Sequence, residues 1–181
     1  LAAHPKALVV ALKLIARARR AATLAREFAT MRRDHEVQEI TVATLLREAT
    51  EIVCAIHAPT LTLEAIARRQ AEPARSAAEV QREVFGISAA ELQHALIAAW
   101  RLPGLLVELL NNGHADSPRV RTISLATHFA RHQARGWTHP ALVGDLAELE
   151  ALLHQPRESL LQRLGVPSEL RARLLPDVPP E

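Results

Sequence analysis

Cys54 is the only cysteine in 181 residues, so the chain cannot close a disulfide on itself. That suits a reducing compartment, and a cytoplasmic setting is expected. Tyrosine is absent, with only three phenylalanines and two tryptophans. Strands favour aromatic and β-branched residues, so this shortage argues against a sheet. The six glycines are all isolated, which excludes a glycine-rich phosphate loop. Lysine occurs only at Lys6 and Lys13, and arginine carries the rest of the positive charge. Arginine lifts the pI to about 9.3, but a formal net charge of +2 is too small to imply nucleic-acid binding. No apolar run approaches the ~20 residues of a membrane span, so no membrane role is expected. The opening LAAHPKALVVALKLIARARR lacks a cleavage-site pattern and reads as a helix, not a signal peptide. The chain begins at Leu1 rather than Met, as a fragment or trimmed chain would.

What is abundant is alanine and leucine, within a 49% hydrophobic total that can fill a real core. Helix signals recur from end to end. Residues 7–32 contain neither glycine nor proline, and Asp34 is the expected N-cap of a second helix over 35–57. There Val37, Ile40, Leu45, Ala49, Ile52 and Ile56 return to roughly one face. Ala58-Pro59 closes that helix, and a short one is expected over 62–71. Ser76 with Glu79 and Ser88 with Glu91 have capping-box spacing, with Gly86 ending the helix between them. On the next helix Leu92, Ala95, Leu96, Ala99 and Trp100 read as a core face. With Arg101 its only basic residue, this helix makes a poor DNA reader. Pro103 can open a helix that closes near Asn112-Gly113. Ser117-Pro118 starts another, running to about Arg135 and stopped by Gly136. Residues 140–175 read as two or three short helices, and 176–181 as a frayed tail. The expected fold is a single all-α domain over 5–175, a compact helical bundle.

Three stretches carry a resemblance: TVATLLREATEIVCAIHAP (41–59), EVFGISAAELQHALIAAWRLPGLLVELLNNGH (83–114) and RVRTISLATHFARHQARGW (119–137). Gly86, Glu91, Leu96, Trp100, Leu102 and Pro103 carry it most strongly. In order and spacing, over roughly 10–155, the chain resembles the C-terminal part of HDOD domains, relatives of the HD metal-dependent phosphohydrolases. HDOD proteins usually carry a further N-terminal helical segment, which this chain is expected to lack or to have lost. The resemblance implies an HD-like helical bundle and a bacterial signal-transduction setting. It also implies where metal ligands would stand. The His-Asp pair falls at Arg47-Glu48, and the early histidine near 16–18, where there is none. The later aspartate position holds Thr127, and of a following histidine pair only His114 remains. A guanidinium stays protonated and offers only donors, so Arg47 cannot ligate a metal. The expected function is therefore a non-catalytic regulatory module working through a protein partner, a pseudo-hydrolase without metal or other cofactor.

Two rival readings stay open. A divergent phosphohydrolase would assemble a rearranged site from Glu48, His114, His128 and His132. Its strongest element is His128 with His132, one helical turn apart, with His114 or Asp116 as a third ligand. A nucleic-acid or nucleotide binder would use the arginine stripe of Arg17, Arg19, Arg20 and Arg26, extended by Arg32 and Arg33. The bland alternative for each is a solvated, paired helix face. Cys54 reads as a buried inert thiol, and Trp137 as a turn anchor or, less simply, a ligand contact.

Overall fold

A computed structural model describes residues 4–175; the expected tail at 176–181 lies outside the described residues. Ten α-helices and one short 3-10 turn account for the described residues, without strands. In chain order they are α1 (Pro5–Met31), α2 (Val37–His57), α3 (Pro59–Ala71), α4 (Ala77–Phe85), α5 (Ala89–Ala99) and α6 (Gly104–Leu110). The 3-10 turn Asn112–His114 follows, then α7 (Pro118–Gln133), α8 (Ala141–Leu153), α9 (Arg157–Arg163) and α10 (Ser168–Leu174).

Alanines set the central packing. On α1, Ala11, Ala18, Ala21, Ala22, Ala25 and Ala29 are buried, so α2 and α7 can approach its backbone closely. Larger side chains fill the spaces at the end of this three-helix contact: Leu24 and Phe28 from α1, Ile40 from α2, Ile123 and Phe129 from α7. Full burial of each such side chain is worth about 1.5–3 kcal/mol. The same cluster continues through Leu142, Leu146 and Leu149 of α8 to Leu160, Leu161 and Leu174.

Local signals behave unevenly. Both capping boxes form, with Glu79 and Glu91 amides donating to Ser76 and Ser88 hydroxyls and the carboxylates accepting in return. Gly86 takes the left-handed conformation at φ +76, which an L side chain adopts only at a cost. Asp34 is not the N-cap of α2. That place belongs to Glu36, because Asp34 turns back to accept from the Glu36 amide and is held by Arg119, 3.0 Å away. Helix α3 starts at Pro59 itself, whose missing amide hydrogen costs nothing at a first position. Pro103 caps α6 from outside instead of opening it, and α7 stops at Gln133, ahead of Arg135.

The core face expected on α5 does not exist. None of its residues is buried: Ala95, Ala99 and Trp100 are exposed, and Leu92 and Leu96 are half-buried. The helix lies at the edge, against α2 and α4, so no neighbour covers its far side.

Candidate functional site

The tight packing of α1, α2 and α7 brings Arg17, Glu48, Glu51 and Arg131 together. Glu48 is 2% exposed, and the Glu48 and Glu51 side chains, three residues apart, share one face of α2. Arg17 donates from Nε to Glu48 Oε2 at 2.6 Å and from Nη2 to Glu51 Oε2 at 2.7 Å, with Nη2 also in ion-pair contact with Glu48 Oε2 at 2.6 Å. Arg131 Nη2 approaches the other oxygens, Glu48 Oε1 at 3.4 Å and Glu51 Oε1 at 3.5 Å. Burial alone would lower the pKa of Arg17, but the nearby Glu51 and Glu48 outweigh it and raise it. The Arg17 guanidinium is held in its charged form.

Arg17 lies within the very window, 16–18, where the resemblance puts an early histidine. By that resemblance the network stands where an HD metal centre would be expected, and its cations are guanidiniums. Arg47 is half-buried beside it. Burial first, and then Arg131, lower its pKa against the pull of Glu48, and its buried Nη1 has no hydrogen-bond partner. Thr127 is buried, and its hydroxyl donates to the Ile123 carbonyl at 2.8 Å, one turn back on its own helix. A divalent ion needs converging free lone pairs. Here both Glu48 oxygens face guanidiniums, Arg47 offers only donors, and Thr127 is turned to its backbone. These residues do not fit a metal.

The histidines do not converge either. His114 is exposed on the 3-10 turn. The rings of His128 and His132 lie 6.4 Å apart, tilted. His132 is taken by Asp145 of α8, Nδ1 to Oδ2 at 2.6 Å, and stacks on His139 with centroids 4.9 Å apart. Crowding by neighbours, then the Arg131 and Arg47 charges, push the His128 pKa below its ordinary value. Among the described residues no three of His, Cys, Asp or Glu lie close enough to share an ion.

Nor do Arg17, Arg19 and Arg20 form one surface. Arg17 faces the glutamates. Arg20 ties α1 to Gln133 at 3.0 Å and to the Leu164 carbonyl at 3.2 Å. Arg19 and Arg26 are exposed. Arg32 is drawn to the Pro118 carbonyl and the Thr122 hydroxyl at the start of α7. Trp137 is half-buried and meets Phe129 edge-on, 6.1 Å between centroids, and so anchors the turn after α7. Sequence reasoning missed Glu51, Arg131 and Asp145. The first two had a local signal: one stands three residues after Glu48, the other one turn after Thr127. Asp145 had none, because its partner His132 is on another helix.

No helix among the described residues is long and apolar enough to cross a membrane. No curated protein and no solved structure matches the chain. The HDOD domain family model matches residues 1–116, which takes in the first two resembling stretches, with Arg17, Arg47, Glu48 and His114, and stops short of Thr127. Over nearly two thirds of its length, then, the pattern that suggested a helical HD relative is matched by the family itself, and the chain belongs to the HDOD domain family.

Proposed function

We propose that this HDOD domain is a non-catalytic regulatory module of bacterial signal transduction, working in the cytoplasm through contacts with a protein partner. Membership of the family supports a signalling or regulatory role in general. One observation carries the finer reading: the Glu48 carboxylate, where an HD enzyme would bind metal, is held by Arg17 and approached by Arg131. An HD-type reaction needs a metal to polarise the phosphate and generate the hydroxide. Guanidiniums can stabilise an anion, but they activate no water.

Protein contact has its own support. Helix α1 leaves Leu8, Leu12 and Ile15 exposed, at 39, 57 and 37%, in a row along one face. An apolar row of this kind is a common mark of an interaction surface. The test of the non-catalytic reading is hydrolysis of bis(4-nitrophenyl) phosphate with Mn2+ in excess. The expected rate equals that of buffer with Mn2+ alone. Turnover above it that disappears in Glu48→Gln would overturn the proposal.

A further inference from the structure

Helices α1 to α5 and α7 line a half-open cavity of about 520 Å3, with Arg17, Glu51 and Arg131 among its lining residues. That volume is in the range of small-molecule sites, which are mostly apolar with a few placed polar groups. The walls fit this description: Leu14, Ile66, Val80, Phe85 and Leu92 supply aliphatic surface with a single aromatic ring. Three of the polar lining groups are unsatisfied. Thr50 and Thr62 line the cavity at 3% and 7% exposure, and neither hydroxyl has a hydrogen-bond partner. Arg131 Nε is a third buried lining atom without one. A buried polar group left unpaired loses its hydration for nothing, so three around one cavity call for an occupant that bonds to them.

Charge narrows the occupant. Arg17 and Arg131 are balanced by Glu48 and Glu51, but Arg69 and Arg135 also line the cavity and form no ion pair among the described residues. The site therefore carries positive charge in excess. Arg131 in the last turn of α7 and Arg135 in the turn just after it both line the cavity, so two guanidiniums are available to one anion. Phe85 is the only aromatic in the wall, so most of the apolar surface is aliphatic and suits an alkyl chain better than a planar ring system. We propose that the cavity binds an amphipathic aliphatic carboxylate, its chain among the apolar walls and its head at Arg131 and Arg135. This binding does not depend on whether the domain has lost catalysis.

Cys54 lines the same cavity and is the only cysteine, which gives the site a built-in reporter. Dodecanoate, kept below its micelle concentration, is titrated into the protein by calorimetry, and alkylation of Cys54 is timed in parallel. Saturable binding is expected, with Cys54 alkylation slowed about tenfold at ten times the dissociation constant. Dodecyltrimethylammonium, with the same chain and the opposite charge, is expected not to protect. Arg135→Gln, at an exposed unpaired position, is expected to weaken dodecanoate binding about tenfold with the thermal midpoint unchanged. Ala65→Phe, which fills the cavity, is expected to abolish the calorimetric signal in a protein of unchanged circular dichroism. No saturable binding of dodecanoate, equal protection by the cation, or undiminished binding in a folded Ala65→Phe protein would each overturn the proposal.

Discussion

Glu48 of α2 ties together α1 and α7. Its partners Arg17 and Arg131 are 31 and 83 residues away, and the carboxylate is almost fully buried. Removing one partner of a buried pair strands the other charge, at about 3–5 kcal/mol. Glu48→Gln is expected to fall at the lower end of that range in urea unfolding at neutral pH, because Glu51 still faces Arg17. The double variant Arg17→Met with Glu48→Leu is expected to recover most of the loss, since apolar isosteres of a buried pair are often no less stable. A double variant worse than the sum of its singles would contradict this picture. The sequence made half of the arrangement readable. Arg47 and Thr127 stand out because the resemblance puts ligands there, and both are negative findings. Which arginine would neutralise Glu48 was not readable, since several arginines lie near the window in α1 and only the helix crossing selects Arg17. His132 illustrates the same limit: it was read as a metal-ligand candidate from its spacing to His128, while Asp145 holds it from another helix.

Helices α4 and α5 owe their ends to chemistry that is entirely local, so their caps were legible. Glu91 shows how strongly such a cap acts. Hydrogen bonds from Ser88, and then Arg82, hold its carboxyl down to about 2, well below the ordinary 4.5. A carboxyl lowered on folding stabilises the protein fully above 4.5, and loses that contribution as pH falls through 2. The thermal midpoint of Glu91→Gln is thus expected below that of the parent at pH 6, with the gap closing towards pH 2. A gap that stays constant with pH would show that the lost contact is not ionic. Ser88→Ala, which removes the hydroxyl accepting from the Glu91 amide, is expected to cost about 1 kcal/mol in the same unfolding assay. Reading α5 as a core helix failed for a reason of element placement. Alanine and leucine at helical spacing say that a face is apolar, and cannot say whether a neighbour or a half-filled cavity lies beside it.

Across the molecule, burial is uneven. The large fully buried side chains come mainly from α1, α2, α7, α8 and α9, while α3 and α4 each bury one residue and α5 none. Amide hydrogen exchange is accordingly expected to be faster in α3–α5 than in α1 and α7, as few buried contacts mean cheap local opening. Uniform protection through all ten helices would argue against a loosely held edge. The all-α class was legible throughout, because breakers and caps are written locally. The closeness of α1, α2 and α7 was not: alanine spacing on α1 permits it, and only the folded chain shows which helices use it. That closeness decides the central question, whether the HD site has become an ion pair. The most direct measurement is metal content by mass spectrometry, after equilibration with Mn2+ and then dialysis, for the parent and Glu48→Gln. The account predicts no stoichiometric metal in either protein. One ion per chain in the parent, lost in Glu48→Gln, would contradict it.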